Sequence, residues 1–266
     1  MSETQQQTIF GDPIEEQIFI ETTGRVIRPF RRLIDQAVSE YRLMVQSDGI
    51  RVEAVDPANV GAVFATLHAD AFETYDVAES VIGISSDGFG SALQHARYGK
   101  STDDPISIRA DQMHLQTEVE RELGGSDVEI SERVPLLDPD AIRQSPDLPD
   151  LDLSVAAEPP PETFIEAVGA MDTSNHIRIG SNLDSIVFNQ DTGSHQRNIE
   201  IDATPTETSE WTHFSGDYME MIATGLRNGY VDSLTLRWDE EYPIFAEFER
   251  EGVLSGQYMI AHRIKD

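Results

Sequence analysis

The sequence predicts an α+β fold made of two similar domains, and three observations carry that prediction. Apolar patterning runs through the same order twice along the 266 residues: strand, helix, several strands, strand, helix, three strands. A stretch with three prolines, many aspartates and no sustained period, DPDAIRQSPDLPDLDL at 138–153, separates the two runs and reads as an extended linker. Hydrophobic residues make up 39% and aromatics 8%, enough to bury a core and exclude wholesale disorder. A repeated α+β unit of roughly 115 residues, visible in pattern and hardly in identity, packs as two domains side by side.

The elements follow in order. Residues 1–16 are polar, carry no clear period, and read as a flexible extension. IFIET at 18–22 is a strand. Ile27, Phe30, Leu33, Ile34, Ala37 and Val38 then recur at three and four, the mark of an amphipathic helix. Pro29 fits only the first turn, which starts the helix close to Ile27. YRLMVQ and IRVEAV flank a turn-favouring Asp48-Gly49 and predict a hairpin. VGAVFATLHA (60–69) and VIGIS (81–85) are strands. A short helix with Phe89, Leu93 and Ala96 on one face comes next. Residues 105–110, 113–120 and 127–134 read as three strands, the last two broken by Gly124-Gly125.

The second run opens with a strand at 151–157. Its helix follows Pro159-Pro160-Pro161, with Phe164, Ile165 and Val168 apolar. HIRIG (176–180), DSIVFNQ (184–190), HQRNIEIDA (195–203) and EWTHF (210–214) are strands. A helix holding Tyr218, Ile222 and Leu226 ends at Asn228-Gly229. DSLTLRW, PIFAEFE and VLSGQYMIAH close the chain as a meander.

Composition narrows the chemistry. With no cysteine, disulfides, thiol nucleophiles and zinc–thiolate sites are excluded. No run approaches the roughly 18 apolar residues of a membrane helix, and MSETQQQTIF has no signal-peptide core, so the expected location is cytoplasmic. There are 49 acids against 19 bases, a formal charge of −30, and only Lys100 and Lys265 are lysines. One reading is adaptation to molar salt, where the Debye length falls to about 3 Å and dense acids repel little. The other is an acidic partner for basic proteins. Either argues against simple electrostatic binding of DNA.

Motifs for catalysis fail. Gly99-Lys100-Ser101 resembles the tail of a phosphate loop, but the required glycine is Gln94 and the segment ends a helix instead of opening one. The histidines (68, 95, 114, 176, 195, 213, 262) show no metal-ligand spacing. No nucleophile elbow supports a serine triad. Carboxylate pairs are too common at this acid density to single one out for an acid-pair hydrolase.

Three stretches carry a resemblance. They are AVDPANVGAV (54–63) after a hairpin with SDGI, LLDPDAIRQSPDLPDLDL (136–153), and QYMIAHRIKD (257–266). In this order and spacing the chain resembles the PCNA-type DNA sliding clamp, most closely its haloarchaeal members, over roughly residues 17–266. The resemblance implies a DNA-clamp fold, with domains at 17–135 and 151–266 and an interdomain connecting loop at 136–150. Helices line a ring and antiparallel sheets form its outside. It implies a homotrimer that encircles duplex DNA and tethers DNA polymerase and other replication or repair enzymes. A clamp loader is a further implied partner, and no catalytic residue, metal, cofactor or membrane is implied. The expected setting is the nucleoid of a halophilic cell or its virus. The chain departs from the family pattern at His262, where proline is usual, and around residues 85–104, which are poor in lysine; a diverged or virus-borne paralogue fits both. The alternative is a clamp-like regulatory or decoy protein that binds replication proteins, or another clamp, without encircling DNA.

Residues carry over accordingly. Arg28, Arg31 and Arg32 on the first helix, Arg97 with Lys100 beyond the second, and Arg227 at the end of the fourth are expected to face DNA. Glu162, Glu166, Asp217 and Glu220 make the lining mixed. The partner-peptide pocket, which takes a hydrophobic turn with paired aromatics, would comprise Val55, Val60, Ala62, Ile142, Leu148, Pro243, Met259, Ile260 and Ala261. By position, 127–134 and 184–190 are the expected sheet edges where chains join. Gln5, Gln6, Ile9 and Phe10 faintly resemble a client peptide without its full spacing.

Overall fold

The structure, a computed structural model, describes residues 17–95, 103–123, 125–145 and 151–264. The first half runs β1 (Ile18–Thr23), α1 (Gly24–Ile34), β2 (Glu40–Gln46), β3 (Gly49–Val55), β4 (Gly61–His68), β5 (Thr74–Val77), β6 (Ser80–Ser85), α2 (Ser86–Ala92), β7 (Pro105–Ala110), β8 (His114–Leu123) and β9 (Ser126–Pro135). The second runs β10 (Val155–Ala157), α3 (Pro161–Gly169), β11 (His176–Ser181), β12 (Ser185–Asp191), β13 (Gln196–Asp202), β14 (Ser209–Ser215), α4 (Gly216–Gly229), β15 (Ser233–Trp238), β16 (Ile244–Arg250) and β17 (Leu254–Ile260).

The strands form three antiparallel sheets in the orders β5-β1-β7-β8-β9, β10-β15-β16-β17-β4-β3-β2-β6 and β13-β12-β11-β14. These orders expose the duplication. The middle strands of the first half assemble as β4-β3-β2-β6 and their counterparts as β13-β12-β11-β14. The outer strands assemble as β1-β7-β8-β9 and β10-β15-β16-β17. Among the described strands only β5, added to the free side of β1, has no counterpart; its four residues, half polar, gave no signal in the sequence. The halves fuse where β17 pairs with β4, from Leu254↔Leu67 to Ile260↔Gly61. The counterparts of those two strands, β9 and β13, remain as sheet edges.

The expected edge at 127–134 thus falls in β9, but that at 184–190 is corrected. β12 is flanked by β11 and β13 and buries six of its seven residues. The adjacent QRNIEID of β13 is mostly exposed, and its polar character is what an edge requires.

The four described α-helices form one row, with α2 beside α1, α1 against α4, and α4 against α3. Tyr258 of β17 fixes the centre of that row. Its hydroxyl, fully buried, donates to the Leu33 carbonyl at 2.7 Å. That carbonyl lies in the last turn of α1, where no intrahelical donor exists for it. Gly225 of α4 lies against the same hydroxyl, so close that a Cβ would overlap it.

α1 begins at Gly24, three residues before the sequence places it, so Pro29 stands inside the helix. A proline there leaves the carbonyl four residues back without its donor. Arg250 from β16 supplies one, donating to the Arg25 carbonyl at 3.0 Å. In the β2–β3 hairpin the unpaired residues are Ser47 and Asp48, because Gly49 already pairs with Gln46. Gly49 has φ 147° and passes so near the Leu67 carbonyl that a Cβ would overlap it. β10 keeps only three residues of the expected 151–157 strand. α2 ends at Ala92; Phe89 and Leu93 are buried as expected, and Ala96 lies outside the described residues. The last carbonyl of this short helix, and one three residues beyond it, are met by buried polar side chains of β8. Thr117 donates to Ala92 O at 2.5 Å and Arg121 to His95 O at 2.6 Å.

Candidate functional site

The helix row presents the predicted cations unevenly. α1 turns Ile27, Phe30, Leu33 and Ile34 inward. That leaves Arg25, Arg28 and Arg32 sharing the other side at i, i+3 and i+7. Arg25 is exposed and pairs with Asp103 at 2.7 Å, while Arg28 and Arg32 are partly exposed. Arg31 sits round the helix toward α2. It donates to the Ser86 carbonyl at 3.0 Å, pairs with Asp35 at 2.9 Å, and lies against Gly90. At 22% exposure it joins α1 to α2. Arg227 is exposed in the last turn of α4, where a cation also meets the negative end of the helix. Arg97 and Lys100 lie outside the described residues. Glu162 and Glu166 on α3, and Asp217 and Glu220 on α4, are exposed. The described cations therefore gather on α1 and the acids on α3 and the start of α4.

The outer face of the eight-stranded sheet, away from the helices, carries most of the predicted pocket. Register sets Val55 beside Ala62, Ala62 beside Met259, and Met259 beside Phe245, an apolar row across β3, β4, β17 and β16. One step along, the Ala261 amide donates to Val60 O at 2.8 Å, and Pro243 falls opposite Ala261 in the same register. Ile260 is corrected. It alternates with Met259 and Ala261, so it points to the core face, fully buried.

The connecting segment stands at the other end of this face. Ile142 packs its Cδ1 over Gly83 of β6. With Ala141 and Arg143 it lines a cavity of about 840 Å³ shared with Val38, Ala54, Val55 and Pro57 and rimmed by Glu40, Glu53 and Asp87. The structure therefore brings Ile142 and Val55 together, and Val60, Ala62, Pro243, Met259 and Ala261 extend from Val55 along the sheet. Leu148 lies outside the described residues, as do Gln5, Gln6, Ile9 and Phe10. His262 lines a second cavity of about 540 Å³ with Trp211, Glu240 and Arg263. There the Arg263 amide donates to His213 O at 2.8 Å, covering the free edge of β14. Among the described residues, no three His, Asp or Glu side chains converge on a metal-sized site.

The β3–β4 loop, DPANV, is built on one buried carboxylate that sequence reasoning missed. Asp56 accepts from the amides of Val60 and Gly61 at 2.8 Å each and of Ala58 at 3.0 Å. Its fourth donor is the Tyr218 hydroxyl of α4, at 2.6 Å. Arg143 holds the same loop from the other side, through the Asp56 carbonyl at 3.5 Å and the Asn59 side chain. Asp-Pro is a turn opener whose carboxylate caps nearby amides, so part of this was available as a local signal. The tyrosine, 162 residues further on, was not.

Burial pushes the Asp56 carboxyl up. The Tyr218 hydroxyl and the amides of Gly61, Val60 and Ala58 pull it down by more, and it ends below its ordinary value. A depressed carboxylate stabilises the fold fully above its unfolded pKa of about 4. That contribution is lost as pH falls through the lower folded value. Denaturant midpoints taken from pH 6 down to pH 2 (on the order of two units either side of the unfolded value) should therefore drop on the acid side. Asp56→Asn should be less stable at pH 6 and show a shallower acid drop; an unchanged acid limb would assign the loss to other carboxylates.

The comparisons fall on one group of proteins. No protein-family model matches the chain. It is 32% identical over 255 residues to the DNA polymerase sliding clamp of Natronomonas pharaonis, covering 92% of this chain and 96% of that protein. It is 30% identical over 236 residues to the DNA polymerase sliding clamp of Haloarcula marismortui, covering 86% and 91%. Among solved structures it superposes on the A. fulgidus PCNA that has the C-terminal region of FEN-1 bound. The TM-score is 0.78 at 25% identity, covering 94% of this chain and 99% of that one. The Entamoeba histolytica Proliferating Cellular Nuclear Antigen superposes with a TM-score of 0.79 at 12% identity, a likeness of fold alone, covering 94% and 100%.

Proposed function

The chain belongs to the DNA polymerase sliding clamp family, and on that footing we propose that it is a processivity factor that works as a closed ring of three copies around duplex DNA. The observation that carries the proposal is the duplicated topology. β17 and β4 join the two halves within one chain, and their counterparts β9 and β13 are free edges. Pairing β9 of one copy with β13 of the next repeats the internal joint between chains. A head-to-tail contact of this kind closes into a ring when its rotation allows.

In such a ring the helix row faces the hole. Arg25, Arg28, Arg32 and Arg227 are described cations there, and topological linkage relieves a −30 chain of the need for salt-sensitive phosphate affinity. Arg97 and Lys100 remain proposed for the same face, with Arg31 serving mainly the α1–α2 contact. Chemistry belongs to the tethered enzymes, and the clamp itself contributes no catalytic group. Partner enzymes dock by a short apolar and aromatic peptide on the face running from Ile142 and Val55 to Met259 and Ala261; Leu148 is proposed for the same site. The acid excess supports a working environment of molar salt.

The testing experiment is primer extension on singly primed circular DNA with a family polymerase and its loader. Stimulation by the unaltered chain supports the reading. Met259→Glu, which sets a charge in the apolar row, should weaken a labelled client-type peptide by more than about tenfold, roughly 1.4 kcal/mol, and abolish stimulation with the assembly mass unchanged. Peptide binding without stimulation would instead identify a decoy.

A further inference from the structure

We infer that Tyr218 is a positioning residue for the partner groove, acting from α4 through Asp56. This rests on the reading of Ile142, Val55 and their neighbours as the partner site. The β3–β4 loop begins directly after Val55 and ends at Val60, so its shape sets how these two groove residues are spaced. Left to itself it would be poorly determined: Pro57, Ala58 and Asn59 are exposed, and Asn59 holds a left-handed φ of 60°. Such a backbone persists only where its surroundings fix it.

Two anchors do so from opposite directions. The Tyr218 hydroxyl reaches Asp56 from the helix side of the sheet. Its ring lies against Gly61, where a Cβ would come within 2.9 Å of the ring carbons. That close approach lets a side chain on α4 reach a loop that opens onto the other face. Tyr218 and the Ala58 amide occupy one oxygen of the carboxylate, which leaves the other to the amides of Val60 and Gly61. Arg143 ties the loop to the connecting segment that carries Ile142. A loop ordered before its partner arrives has less freedom to lose on binding. Removing the hydroxyl leaves the buried oxygen with one donor fewer and loosens the turn at Val60.

The test uses the full chain, the assembled ring, and a fluorescein-labelled peptide bearing one aliphatic anchor and two adjacent aromatics. Tyr218→Phe keeps the ring against Gly61 and removes only the oxygen. Peptide affinity is expected to fall about five- to tenfold through faster dissociation, with assembly mass unchanged. Asp56→Asn should produce a similar loss, and the double variant should be little worse than either single one, as for residues acting through one bond. Hydrogen exchange at the Ala58, Val60 and Gly61 amides should speed up in Tyr218→Phe while exchange within β17 and the rest of β4, from Ala62 on, does not. Unchanged affinity in Tyr218→Phe, with the unaltered protein still binding, overturns the inference and leaves the groove in place. A general loss of protection in β4 and β17 also overturns it, since the tyrosine would then be a core residue. Failure of the unaltered protein to bind the peptide, with Met259→Glu indistinguishable from it, overturns the groove reading itself.

Discussion

Proline at one of two adjacent positions in β9, Glu129 or Ile130, is expected to reduce the protein to single chains of 29.6 kDa. β9 pairs with β8 on one side only, with Glu129 opposite Glu120 and Ile130 opposite Val119. Neighbouring residues of a strand direct their amides to opposite sides. One of the two proline variants therefore removes a donor from the β8–β9 ladder and lowers stability. The other removes a donor only from the free edge and sets the pyrrolidine ring where the next copy's β13 would lie. That second variant should melt near the unaltered chain yet fail to assemble. Light scattering and thermal melting of both variants separate the cases. Two proline variants that still assemble fully would show that β9 is not the joint.

Gly225→Ala is expected to have the largest effect on folding. The added methyl would overlap the Tyr258 hydroxyl and approach its Cζ to 2.6 Å, at a place where helices α1 and α4 and strand β17 converge. Tyr258 is fully buried and cannot swing into solvent. Overpacking of this kind costs about 1–3 kcal/mol. Displacing the hydroxyl also strips the Leu33 carbonyl of its donor, about 1–3 kcal/mol more. Tyr258→Phe isolates the second part, and the smaller methyl-free change should cost only that share. Denaturant titration of the three proteins checks the order: unaltered, then Tyr258→Phe, then Gly225→Ala. Equal stability of Gly225→Ala and the unaltered chain would mean that α4 can retreat from β17 freely.

Much of the fold was legible because its patterns are local. Alternation in IFIET, YRLMVQ and VLSGQYMIAH marks strands whose inward residues are buried, and Ile27, Phe30, Leu33 and Ile34 mark one face of a helix. What escaped is non-local. The start of α1 depends on Arg250 meeting the carbonyl that Pro29 leaves bare. The edge role of β13, and the loss of that role by β12, follow from how four strands are ordered, which periodicity does not encode. At the site, the family resemblance pointed to Val55, Ala62, Ile142 and Met259. It could not tell Ile260 from its neighbours, since the residue differs from them only in which face it takes. For Arg31 the sequence shows the charge and hides Asp35 and Ser86 beside it. Asp56 and Tyr218 meet only through folding.

The most direct test of the ring is the molar mass of the unaltered protein by light scattering on a sizing column, in multimolar KCl and again in dilute buffer. The proposed ring of three copies predicts about 89 kDa in high salt, three times the 29.6 kDa chain. A mass near 30 kDa, one 29.6 kDa chain, at every salt level and protein concentration would contradict a ring built from this chain alone.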